Sequence, residues 1–248
     1  MNYIISILLI SLLSCTSKRS TRQDYMAISV IADSSDFHYL HPDAQPIIEL
    51  LKLKEHKNEA ITFRYAMVSD KVLSPVTVLR LPNAHEDKKQ NNYIDFSYRG
   101  KQVAGFYNDI RTLINRRIND SSSLVRSQCF RAISRELDLL VKQNSKRKIL
   151  LVYSNCYENS PIASIPSQEG WEQLEERPNE IISLFEKIKL LPNDLSGIKI
   201  VFVYQPISIE DDKRYNAIIS IYKAMLEKRQ AKVIIQAENT FSDSLIDF

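Results

Sequence analysis

Six short apolar runs constrain this chain more than anything else in it. MAISVIA (Met26–Ala32), KILLVYS (Lys148–Ser154), IKIVFVY (Ile198–Tyr204) and KVIIQA (Lys232–Ala237) are strand-length and almost continuously apolar. Such runs read as strands covered on both faces, because a strand with one wet face alternates. ITFRYAMV (Ile61–Val68) and VTVLRL (Val76–Leu81) alternate or run apolar around the polar stretch Ser69–Pro75, which predicts two antiparallel strands joined by a turn.

Between the runs, apolar residues recur at helical spacing. A helix fits Asp43 to Lys54, with Ile47, Ile48, Leu50 and Leu51 on one side and Pro46 in its first turn. Further stripes are Val103, Phe106, Ile110, Leu113 and Ile114, then Phe130, Ile133, Leu137, Leu140 and Val141, with Asn119–Ser123 as the stop and restart between them. Two more follow: Ile181, Leu184, Phe185 and Ile188, and Tyr215, Ile218, Ile219, Tyr222 and Leu226. Pro82 to Gly100, with the charged His85–Asn92 at its centre, reads as an exposed excursion. Strands alternating with amphipathic helices predict an α/β sandwich: a mostly parallel sheet with helices on both faces.

Composition narrows the function classes without naming a reaction. The 248 residues are 44% hydrophobic and 25% charged, enough for one sizeable core. The four glycines, Gly100, Gly105, Gly170 and Gly197, cannot form a phosphate-cradling loop at their spacing. Thirty-three basic against thirty acidic residues leave a net charge of +3, which gives no field for nucleic acid.

Tyr3 to Leu13 is an uncharged apolar run too short to span a bilayer and of the length of a signal-peptide core. It ends in Leu12-Leu13-Ser14-Cys15, which resembles the bacterial lipobox, with Leu13 at a place where a small residue is usual. The resemblance implies residues 1–14 as signal peptide, Cys15 as the lipidated (palmitate-bearing) mature N-terminus, 15–24 as a polar tether and 25–248 as one domain. That makes a lipid-anchored protein of the bacterial envelope. Cys129 and Cys156 remain; they read as two small buried residues rather than a disulfide.

In an open parallel sheet, ligands bind outside the carboxyl ends of strands where the winding reverses. Here that edge collects Asp33–Phe37 and Asn155–Ser160. The order of elements, with Asp33-Ser34-Ser35-Asp36-Phe37 after the first strand and Ser154-Asn155-Cys156 after the fourth, resembles the von Willebrand factor A domain, the integrin I type. The resemblance covers about Tyr25 to Asn239 and implies strand order 3-2-1-4-5-6, with strand 3 antiparallel. It also implies a Mg²⁺ site built from Asp33, Ser35, a hydroxyl in the serine run at Ser122, and the position of Asn155. The site is degenerate: Phe37 replaces the second serine, Asn155 the aspartate and Cys156 the glycine. Each loss weakens a hard cation's hold.

The expectation is a domain that binds a protein partner at this edge, with Asp36, Phe37, Tyr157, Glu158 and Trp171 as contact residues and Mg²⁺ as the one implied cofactor. The loop from Tyr157 to Arg177 is long for an α/β connection and carries Trp171 onto the same edge. The alternative is an envelope hydrolase in which Ser154, Asp33 and a histidine converge, though no G-x-S-x-G elbow is present. A third is a structural accessory subunit that uses an apolar patch. His38 and His41 have no further ligands at zinc spacing.

Overall fold

A computed structural model of the protein describes residues 24–33, 40–68, 76–84, 96–118 and 127–245. Along the chain it forms β1 (Asp24–Ala32), α1 (Ala44–Leu50), β2 (Ile61–Met67), β3 (Val76–Leu81), α2 (Phe96–Ile118), α3 (Cys129–Lys142) and β4 (Ser145–Tyr153). It continues through α4 (Gln168–Glu176), α5 (Pro178–Lys187), β5 (Ile198–Val203), α6 (Ile209–Glu227) and β6 (Lys232–Gln236), with a 3₁₀ turn at Asp243–Leu245.

The six strands form one sheet in the order β3-β2-β1-β4-β5-β6, antiparallel only between β2 and β3. This is the strand order and polarity that the sequence implied. The central strands β1, β4 and β5 are almost wholly buried because their side chains on both faces meet helices or loops. One face carries α3 to α6: Phe130, Phe185, Phe202 and Tyr222 stack within it, with the Phe130 and Phe185 rings 4.4 Å apart. The other face carries α1 and α2 over Ile28, Val30, Phe63 and Leu151, and over Val201 and Val203 it is closed by Phe241 and Leu245.

Three sequence expectations need correction. The first helix stops at Leu50 because the chain turns left-handed at Lys52 (φ 45°), short of Lys54. Helix α2 begins at Phe96, so the end of the presumed excursion is helical. Its Arg99 is buried and donates to the carbonyls of Lys57, Pro82 and Glu59 at 2.6, 2.8 and 3.0 Å, pinning α2 to the turns beside β2 and β3. The long connection after β4 also contains a helix, α4, whose Ser167 N-cap accepts from the Gly170 amide at 3.0 Å.

Candidate functional site

The site is built from the residues that leave β1 and β4. Ala32 pairs with Tyr153, so the next residues, Asp33 and Ser154, emerge side by side at the carboxyl edge, and the Asp33 amide donates to the Tyr153 carbonyl at 2.8 Å. Winding reverses here, with β2 on one side of β1 and β4 on the other.

Asp33 is 2% exposed, and a buried carboxylate must be hydrogen-bonded to be tolerated. The Ser154 hydroxyl donates to its Oδ2 at 2.7 Å and the Ser127 hydroxyl to the same oxygen at 3.3 Å. Ser154 Oγ in turn accepts from the Cys156 amide at 2.9 Å. Cys156 sits at φ 60°, the left-handed region that favours glycine. The Asn155 side chain is 6% exposed, and its Oδ1 accepts from the Tyr157 amide at 3.0 Å, closing a turn over the strand end.

Glu158 points inward. It is fully buried, and Oε2 accepts from the Phe130 amide at 2.8 Å, so it caps the start of α3, where Gln128 provides no side-chain cap. Its Oε1 is buried without a hydrogen-bond partner. Burial pushes the Glu158 carboxyl up to about 7, against the opposing pull of the Ser160 hydroxyl and the Phe130 amide. Cys129 and Cys156 are free, buried thiols beside Ser154. A hydrogen bond that the Cys129 thiol gives to Cys156, together with burial and the acidic groups of Asp33 and Glu158, raises the Cys129 thiol well above its ordinary range.

Among the predicted site residues, Asp33 and Asn155 lie together at this edge with Tyr157 beside them. Glu158 and Trp171 lie beneath it: Trp171 is 9% exposed, packed into the α3–α6 core with the Arg214 guanidinium 4.9 Å from its ring. Cys15, Ser35, Asp36, Phe37 and Ser122 fall outside the described residues. The hydroxyl that reaches Asp33 across from the α3 side is Ser127, five residues beyond the serine assigned from the sequence. Sequence reading also missed Asp211, which gathers Tyr157, Tyr204 and the Ile207 amide. The signal for that loop was Ile209, an apolar residue off the Tyr215–Leu226 stripe.

Among the described residues, no group of three or more histidine, cysteine, aspartate or glutamate side chains is placed to hold a metal. The described part of the implied Mg²⁺ site offers one carboxylate and one amide. The carboxylate's Oδ2 and the amide's Oδ1 already accept protons from the protein's own donors. These two described residues alone are too few oxygen ligands for a divalent cation, and the other implied positions, Ser35 and Ser122, lie outside the described residues. Ser154, with its proton on Asp33, meets no histidine among its described partners.

No family model matches the chain, and no curated protein matches it. Among solved structures, one similar chain is the PilB minor pilin from Streptococcus sanguinis, at 10% sequence identity and a TM-score of 0.46. The match covers 91% of this chain and 59% of that one.

Proposed function

We propose that this chain is a lipid-anchored bacterial envelope protein, held through Cys15, whose von Willebrand A-like domain binds a protein partner at the carboxyl edge of its sheet. The observation that carries the reading is the knot at the ends of β1 and β4. Asp33, Ser127 and Ser154 are tied together beneath the Asn155–Tyr157 turn, at the switch point of a sheet ordered 3-2-1-4-5-6. A surface resting on satisfied, buried hydrogen bonds is pre-organised, which lowers the entropic cost of docking. The left-handed Cys156 further supports the family reading, because it occupies the position at which that family carries glycine.

In this reading the internal hydroxyl donors do for Asp33 what a cation does in the metal-dependent members, so the edge works without Mg²⁺. Glu158 and Trp171 brace it from below, and Tyr157 is its contact among the described residues. Catalysis is not part of the proposal.

Two measurements test it. p-Benzoylphenylalanine in place of Tyr157 is expected to give a discrete protein adduct in intact cells, whereas the same probe at Lys54, on the opposite edge, is not. Equal labelling from both positions, or none from Tyr157, overturns the edge as a binding surface. Thermal melts in EDTA and in millimolar Mg²⁺ are expected to coincide. A cation at 100 times its dissociation constant adds about 2.7 kcal/mol, so a rise of roughly 5–10 °C that vanishes in Asp33→Ala would show a working metal site.

A further inference from the structure

The end of the β5–α6 connection and the first residue of α6 bear the most exposed large apolar side chains among the described residues, Ile207 at 71% and Ile209 at 80%. They flank Ser208, the N-cap of α6, at the carboxyl end of β5 and therefore on the same edge as Asp33 and Ser154. Neither belongs to the buried side of α6, formed by Tyr215, Ile218, Ile219, Tyr222 and Leu226.

The loop that displays them is fixed. Asp211 Oδ2 accepts from the Ile207 amide at 2.9 Å and from the Tyr204 hydroxyl at 2.7 Å, and Oδ1 accepts from the Tyr157 hydroxyl at 3.3 Å. Ser208 Oγ accepts from the Asp211 amide at 3.1 Å. A held loop with two β-branched side chains in water is a costly arrangement for a monomer, and a favourable one for a surface that is covered in use.

The surrounding charge selects the occupant. The first turn of α6 carries Glu210, Asp211 and Asp212 and no basic residue. Lys213 follows in the second turn, and Arg214 is engaged with Glu210 at 3.2 Å and with the Trp171 ring. The exposed carboxylates beside the isoleucines, Glu210 and Asp212, disfavour an anionic lipid surface and suit a pocket rimmed by lysine or arginine, while Asp211 is engaged within the loop. β1 starts at Asp24, on the edge opposite the carboxyl ends of its parallel partner strands.

We propose that Ile207 and Ile209 form a rigid knob that seats in an apolar, basic-rimmed pocket of the protein partner. This rests on the edge-binding reading above and specifies its contact.

The test places p-benzoylphenylalanine at position 207 and, separately, at 209 in the full chain, irradiated in intact cells. A discrete adduct with another protein is expected from each. With the probe at 209, Ile207→Asp is expected to cut the yield about tenfold or more, and the neutral pair Glu210→Gln with Asp212→Asn to lower it several-fold, with the chain still melting cooperatively. An adduct of twice the chain's mass, or binding of the purified domain to phosphatidylglycerol vesicles, overturns the proposal in favour of self-association or a membrane contact. So does a yield indifferent to those variants. No adduct from 207 or 209, while the probe at Tyr157 still gives one, overturns the knob alone. Silence at all three positions overturns the edge reading with it.

Discussion

Glu158 is a fully buried acid at the site whose proton affinity lies well above its ordinary value. A carboxyl raised from 4.5 to about 7 keeps its proton in the folded chain while the unfolded chain has released it. Its contribution to stability is therefore full below about pH 4.5 and is lost as pH rises through about 7, a change of up to about 3 kcal/mol. Glu158→Gln retains an acceptor for the Phe130 amide and removes the titration. Urea unfolding at pH 5 and pH 8 is expected to show a smaller loss of stability in Glu158→Gln than in the parent chain; equal losses would place the titration elsewhere. Nothing in the sequence reveals this role. Glu158 reads as a surface acid after a strand, and only the fold brings it beneath α3, 28 residues back along the chain. Ser127 was hidden for the same reason, because a loop's register against a distant carboxylate is fixed by tertiary packing and not by local pattern.

At the scale of elements, strands were legible and helix ends less so. Apolar runs mark β1, β4 and β5 because both faces are covered, whereas α4 was missed because its buried residues are only Gly170, Trp171 and Leu174. Gly170 shows how tightly that helix is set: a Cβ there would lie 1.9 Å from the Ser164 carbonyl oxygen. Gly170→Ala is expected to cost about 2–4 kcal/mol, read as a lowered urea midpoint, since backbone rather than a flexible side chain blocks the methyl. An unchanged midpoint would mean that α4 is free to shift. The chain also ends helices on non-glycine residues in the left-handed region, Lys189 at φ 53° after α5 and Gln230 at φ 69° after α6. Both are exposed, so Lys189→Gly and Gln230→Gly are each expected to stabilise by about 0.5–1 kcal/mol. A fall in melting temperature in either variant would count against strain at these caps.

For the whole molecule, the anchoring proposal makes one prediction independent of the edge. Labelled palmitate is expected to enter the full chain and to be lost in Cys15→Ala, with the variant passing from the membrane to the soluble fraction. Retention of Cys15→Ala in the membrane fraction would point to a different attachment, and among the described residues no helix is long and apolar enough to cross a membrane.

The knot at the edge also has a meaning in time. Asp33 meets Ser127 and Ser154 across sequence separations of 94 and 121 residues, so it cannot close until the chain through β4 has been made and the central strands have paired. Contacts that distant come late, because the entropy of drawing the ends together must be overcome first. A partner that docks on this edge therefore meets only finished molecules. Under the edge-binding proposal, recognition there inspects maturity as well as identity, and half-folded copies pass unnoticed.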